Sequence, residues 1–206
     1  INYTFYRMPT PKLVAGWRAQ VPPEFRFTLK APKRITHDKR LRAAEVSESL
    51  QGFITAAAEL GPQLAALLFQ LPPNFKQDLP RLRAFLALLP PAARVAFEFR
   101  HVSWFDDAVF DALRERNVAL CVADTGEEGD APFVATAGFG YLRLRRADYG
   151  DGALAAWGRW IAAQPWSACY VYFMHEDAAV GPRLAARMNE LAAGLAEVVK
   201  YGLIRD

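Results

Sequence analysis

Short strand-like runs alternate with longer amphipathic stretches from one end of the chain to the other, and this alternation constrains the fold more than any other feature. The strand candidates are Ile1–Phe5, Phe25–Ala31, Leu64–Leu71, Arg94–Arg100, Val118–Ala123, Gly140–Leu144 and Cys169–Met174. Helix candidates fall between them, near Pro11–Ala19, Ala44–Leu60, Leu79–Leu89, Asp107–Arg116, Gly152–Ala163 and Ala179–Val199. The longest carries Val46, Leu50, Phe53, Ile54, Ala57 and Leu60 at helical spacing, and Gly61-Pro62 stops it. Asp106 and Asp107 stand where the next helix needs a cap. Strict alternation implies a parallel sheet with helical crossovers. Runs that are apolar on both faces, such as LAALLFQ (64–70), suit a sheet covered on both sides.

Two architectures satisfy that pattern, an open doubly wound sheet and a closed (β/α)8 barrel. No GxGxxG or GxxxxGK[ST] follows any strand candidate, so the nucleotide-binding forms of the open sheet lose support. A barrel takes about 250 residues, or roughly 31 per βα unit. Seven strand candidates in 206 residues, the first without its beginning and without a Met, match a TIM-type (β/α)8 barrel lacking its first βα unit in this chain. No composition shift or linker divides the chain, so residues 1–206 read as one domain.

Composition narrows the function classes. A hydrophobic content of 52% with 23% charged residues excludes intrinsic disorder. By size scaling such a chain buries about 70% of its unfolded surface, enough for one core without disulfide or metal. No run of about 18 apolar residues exists, so no membrane span is expected. The net charge of +3, from 25 Lys and Arg against 22 Asp and Glu, does not mark a nucleic-acid binder, which needs clustered charge. Cys121 and Cys169 each sit in an apolar run and read as core thiols. Their number and spacing exclude a disulfide framework or a CxxC metal site. With no signal-peptide pattern, the expected location is cytoplasmic.

In a parallel barrel the site lies at the carboxyl ends of the strands. Those ends are polar here: Tyr6-Arg7, Lys30, Gln70, Glu98 with Arg100 and His101, Asp124-Thr125, Arg143 with Arg145, and His175-Glu176-Asp177. Alternate strand residues share a face, so Glu98 and Arg100 point one way and Phe97 and Phe99 the other. If the phenylalanines meet helices, both charges face the interior and need partners. Either they form an internal ion-pair network, or Lys30, Asp124 and Arg143 join them around a functional cavity.

Other residues carry paired readings. His37 is either packed in its loop or part of the site, and His101 either donates to a ligand or caps the next helix. His175 is the best-placed acid or base. Trp17, Trp157 and Trp160 fall on helix candidates and read as packing, whereas Trp104 either floors the pocket or anchors the structure. Ser103 is weakly placed as a nucleophile, and no GxSxG occurs. No HxH, HExxH or DxH pairing is present, so neither a metal nor a cofactor is expected.

The segments NYTFYR (2–7), KAPKRITH (30–37), LLFQLPPNF (67–75), FEFRHVSWF (97–105), ADT (123–125), YLRLR (141–145) and YFMHED (172–177) recur in this order in one family. The chain resembles the domain-of-unknown-function 72 family, the YecE-like uncharacterised proteins, over essentially its whole length. The resemblance implies a TIM-type barrel and assigns no activity. It implies that Asn2, Tyr6, Arg7, Lys30, Thr36, His37, Gln70, Glu98, Arg100, Trp104, Asp124 and Arg143 occupy recurrent family positions. Many members carry a His-Gly pair where this chain has Arg145-Arg146 and an Asn-rich segment where it reads MHED.

Together these readings predict a small anionic or sugar- or phosphate-like ligand bound at the barrel mouth; whether it is also transformed there, without metal, is left open. Lys30, Arg100 and Arg143 would neutralise it, with Tyr6, Arg7, Gln70, Trp104 and Asp124 as further ligand-binding residues. Glu98 would be the general acid or base and His175 or His37 the second proton carrier. The alternatives are a non-catalytic binding module or a nucleic-acid-processing protein using the local basic patch Lys33, Arg34, Lys39, Arg40 and Arg42.

Overall fold

A computed structural model describes residues 1–126, 129–146, 148–174 and 180–192, and the backbone of 199–201. Its strands are β1 Phe27–Lys30, β2 Leu64–Gln70, β3 Val95–Glu98, β4 Ala119–Asp124, β5 Gly140–Leu144, β6 Cys169–Phe173 and β7 Val199–Tyr201. They form one seven-stranded sheet in the order β1-β2-β3-β4-β5-β6-β7. Every neighbouring pair is parallel. The helices are α1 Tyr3–Tyr6, α2 Pro11–Ala19, α3 Ala43–Ala58, α4 Leu79–Leu86, α5 Asp107–Arg114, α6 Asp151–Ala162 and α7 Val180–Ala192.

The helix starts follow local chemistry. Thr10 accepts from the Leu13 amide at the head of α2, Asp78 from Arg81 at α4, and Asp106 from Ala108 at α5. Each satisfies an amide that the first helical turn leaves without a partner. Pro11 and Pro80 occupy first-turn positions, where the missing N–H costs nothing.

Side-chain alternation splits the sheet into two faces. Leu67, Phe69, Val95, Phe97 and Leu120 point outward and pack with Leu50 and Phe53 of α3 and Leu82 and Phe85 of α4. Farther round, Leu142, Leu144 and Val171 meet Leu154 and Ile161 of α6 and Met188 of α7. The inner face carries Ala66, Leu68, Ala96, Ala119 and Cys121, then Tyr141, Tyr170 and Tyr172. Small residues on β2–β4 thus oppose large ones on β5–β6. The sheet is curled, because the hydroxyls of Thr28 on β1 and Tyr172 on β6 hydrogen-bond across the interior. Gly140 is required at its position: a Cβ there would lie 2.4 Å from the Trp166 ring.

Two expectations are corrected. Ile1–Phe5 is not a strand. Ile1 alone lies along β1, its amine donating to the Thr28 carbonyl at 2.5 Å and its carbonyl accepting from the Lys30 amide at 3.2 Å. The Thr4 hydroxyl then donates to the Lys30 carbonyl at 2.6 Å and the chain turns into α1. The final helix does not include Val199: α7 is described over Val180–Ala192, and Val199–Tyr201 is the seventh strand. Among the described residues, β1 and β7 are the two edges of the sheet, so a closed eight-stranded ring is not what is observed.

Phe97 is fully buried, 5.4 Å from Phe69 and 5.7 Å from Phe99 in stacked arrangements and edge-on to Phe85 at 6.0 Å. Phe97→Ala is expected to lower stability by about 3–5 kcal/mol. The urea midpoint measures it, and a loss below about 1 kcal/mol would show that this stack does not hold the sheet to its helices.

Candidate functional site at the strand ends

A cavity of about 480 Å³ opens at the carboxyl ends of β3–β5, with Glu98, Arg100, Ala123, Thr125, Asp130 and Arg145 among its lining residues. Glu98 ends β3 on its inward face and is 1% exposed. Its Oε1 accepts from Gln70 Nε2 at 2.7 Å and faces Arg100 Nε at 3.3 Å and Arg145 Nη1 at 4.0 Å. Its Oε2 accepts from Arg143 Nη1. Burial alone would raise the carboxyl's pKa, but the Arg143 charge, hydrogen bonds from Arg143 and Gln70, and Arg100 hold it below its usual value. Glu98 is therefore an ionised carboxylate with every approach taken by a donor.

Arg143, on the inward face of β5, is 3% exposed. Burial opposes its charge, yet Glu98 raises its pKa above the normal arginine value. A second donor, Nη2, reaches Met174 Sδ at 2.6 Å, and Nε is buried with no hydrogen-bond partner. Arg143 also lines a second hollow of about 340 Å³ inside the curl, together with Lys30, Tyr141 and Tyr172. Burial pushes the Cys121 thiol and the Tyr141 phenol well up, so both stay neutral beside the charged cluster. On the far side of the cavity, Asp130 accepts from the Thr125 amide at 2.8 Å, the Thr125 hydroxyl at 2.6 Å and the Gly126 amide at 3.1 Å.

Lys30 ends β1 with its Nζ 4.0 Å from the centroid of the Phe5 ring, and the His37 ring packs edge-on against the same ring at 5.0 Å. The His37 Nδ1 meets the Thr36 hydroxyl at 2.9 Å. Half-burial, then the Lys30 charge, lower the His37 pKa.

The structure brings Gln70, Glu98, Arg100 and Arg143 into one cluster, with Lys30 on the adjoining hollow. His37 stands beside Lys30 on the Phe5 ring, but Tyr6, Arg7, Trp104 and Asp124 are not brought in. Tyr6 and Arg7 are exposed at the end of α1 and line neither cavity. Trp104 is the anchor rather than the floor: it is fully buried, stacked on Phe99 at 4.8 Å, and its Nε1 donates to the Phe75 carbonyl at 2.6 Å. Asp124 has the opposite parity to Cys121 and Ala123, so it faces the helices, accepting from the Tyr149 hydroxyl at 2.8 Å. His101 caps, its Nδ1 accepting from the Ser103 amide at 3.2 Å, while the Ser103 hydroxyl accepts from the Gln77 amide at 2.8 Å. His175 lies outside the described residues.

Thr125, Asp130 and Arg145 also line the cavity; the sequence places Thr125 and Arg145 at polar strand ends without assigning either to the ligand, and gives no sign of Asp130. The alternation in YLRLR puts Arg145 on the same face as Arg143, a signal the sequence does contain. Within the basic patch, Lys33 pairs with Asp38 at 3.9 Å, and Lys39 and Arg42 pair with Glu45 at 2.5 and 3.3 Å. Among the described residues no group of three His, Cys, Asp or Glu side chains is arranged to hold a metal ion. No helix there is long and apolar enough to cross a membrane.

A curled parallel α/β sheet in sequential strand order, with a carboxylate set among arginines at its strand ends, defines a barrel-like α/β protein with a polar strand-end site. The model of the family described as protein of unknown function DUF72 matches residues 1–201, and the chain belongs to that family. Over 130 residues it is 32% identical to the UPF0759 protein YecE of Escherichia coli (strain K12), a match covering 60% of this chain and 47% of that protein. The chain thus spans about half the length of the curated relatives it matches. A DUF72 family protein from Enterococcus faecalis V583 superposes with a TM-score of 0.79 at 19% identity, over 93% of this chain and 83% of that one. One from Thermotoga maritima MSB8 gives 0.68 at 21% identity, over 94% and 82%. At these identities the likeness is one of fold.

Two outcomes are expected. Glu98→Gln leaves the Arg143 charge buried without its counter-ion and should cost about 3–5 kcal/mol, whereas Glu98→Gln with Arg143→Met should recover part of that loss. Because the folded Glu98 pKa lies below 4.5, its contribution is present above that pH and fades as pH falls through the folded value. Denaturation against pH should show that acid limb in the native protein and its absence in Glu98→Gln. His37 works in the same direction for another reason. Its folded pKa lies below 6.5, so the unfolded chain takes up the proton first and stability declines as pH drops through 6.5. His37→Gln should remove that step, and an unchanged profile would show that the imidazole is not held neutral.

Proposed function

We propose that this protein binds a small molecule bearing a phosphate or carboxylate group in the cavity at the ends of β3–β5. The observation that supports this reading is the charge imbalance around Glu98: one carboxylate faces Arg100, Arg143 and Arg145 within 4.0 Å. Asp130, the other acid that lines the cavity among the described residues, already accepts three hydrogen bonds from Thr125 and Gly126. A buried Arg143 fixed by Glu98, flanked by two partly exposed guanidiniums, suits an oxyanion that accepts paired hydrogen bonds. Glu98 takes the part of a positioning residue, because a carboxylate held below its usual pKa is a weak base. The reading is therefore a binding site first. Proton transfer, if the ligand is transformed, falls to His37 or His175. The reading extends to a (β/α)8 barrel of which the observed curl is the larger part, and to a cytoplasmic setting that keeps Cys121 and Cys169 reduced.

Calorimetric titration with inorganic phosphate, a sugar monophosphate and a small carboxylate tests it. Saturable binding is expected with at least one of them. Arg100→Gln and Arg145→Gln should each weaken it about tenfold, the scale of one charge-assisted hydrogen bond. Absence of binding by all three anions, or binding that neither substitution weakens, would overturn the proposal.

A further inference from the structure

A third hollow, of about 360 Å³, has no part in the strand-end site. Ala153, Ala156, Trp157 and Trp160 line it from one face of α6, with Phe133 from the segment after β4 and the polar pair Asp124 and Arg146. Small residues at 153 and 156 leave room beside two indoles. Phe133 is 59% exposed, far more than a packing phenylalanine needs. Arg146 Nε is buried with no hydrogen-bond partner among the described residues, and it faces Asp148 at 3.7 Å and Asp124 at 4.0 Å. Its guanidinium sits 4.9 Å over the Tyr149 ring. Asp124, meanwhile, is the strand-end acid that turns away from the anion cavity and accepts from Tyr149.

The rings decide what chemistry fits. Phe133 lies 5.0 Å from Trp157 and 5.1 Å from Trp160, and the two indoles are 5.7 Å apart. Rings at those separations touch one another, leaving no gap for a cation among them, and Arg146 adds positive charge beside them. An anion alone would leave the aromatic wall unused and would face Asp124. A ligand with an apolar ring face and an edge of groups that both donate and accept satisfies every lining residue. We propose that this hollow binds a pyranose sugar, its C–H face against Trp157 and Trp160 and adjacent hydroxyls donating to Asp124 and accepting from Arg146. The volume falls in the range of small-molecule sites. The site is independent of the anion cavity.

The test is tryptophan fluorescence and calorimetry on the full chain titrated with methyl β-D-glucopyranoside, methyl β-D-galactopyranoside and N-acetylglucosamine. A saturable change in the millimolar range is expected with at least one sugar. It should weaken about tenfold in Phe133→Ser, an exposed position that leaves the core intact, and in Asp124→Asn, the scale of one hydrogen bond to a charged group. Arg100→Gln, which acts on the other cavity, should leave it unchanged. The proposal is overturned if no sugar gives a saturable change, or if the change survives both Phe133→Ser and Asp124→Asn. It is equally overturned if tetramethylammonium chloride saturates the same signal and the sugars do not compete with it.

Discussion

The contact between Glu98 and Arg143 organises the strand ends. Both groups are almost fully removed from water, and a charge so placed is tolerated only when opposite charge and hydrogen bonds replace its hydration. Gln70 supplies a further donor, so the ends of β2, β3 and β5 are tied to one carboxylate across the inside of the curl. Exchanging a buried pair of this kind for well-packed apolar residues is often neutral or stabilising. Stability alone therefore does not account for it. What the pair does achieve is to hold a guanidinium in one orientation at the edge of a cavity.

The alternation of apolar and polar residues carried most of the fold. FEFR (97–100) correctly predicted Phe97 against the helices and Glu98 inward, and the cluster of Gln70, Glu98, Arg100 and Arg143 follows from the same parity. The parity argument applied to Asp124 would have placed it outward. Closing a strand is what makes it look like a site residue, and position along a strand says nothing about face. Ile1–Phe5 reads as a strand from its β-branched and aromatic residues, but the Thr4 hydroxyl bonded to the Lys30 carbonyl ends the extended run after one residue. That contact joins residues 26 apart, and no local pattern predicts it. The short β7 lacks a periodic signal of its own, since VKY is brief enough to read as the tail of a helix. Trp104 and His101 were ambiguous in sequence because a rim aromatic and a rim histidine serve equally as anchor, cap or ligand. Only partner distances distinguish these.

The inside of the curl is chemically divided. Alanines on β2–β4 leave space, and tyrosines on β5–β6 fill it. Cys121 and Tyr141, which border the charged cluster, keep their protons because burial disfavours their anions and Glu98 adds to that penalty. Among the described residues, the ionised groups of the cluster are then Glu98 and its arginines, and the sign of their excess is positive. Neutral neighbours on the inner face leave the field of the cluster to its charged groups, at the strand ends where the cavity lies.

Within that cluster, exposure is graded. Arg143 is 3% exposed, Arg145 27% and Arg100 34%, while all three face the same carboxylate. The gradient separates two tasks. A fully buried guanidinium has already lost its hydration during folding, so its field at the cavity is fixed and requires no reorganisation when an anion arrives. The two partly exposed arginines keep contact with solvent, and in the proposed reading it is they that adjust to the anion. Glu98 sets the balance between them: without it the three arginines would repel one another, and a second acid beside it would halve the positive excess among these four side chains. One carboxylate among three guanidiniums thus gives the buried Arg143 its counter-ion and still leaves the positive excess on which the proposed anion site rests.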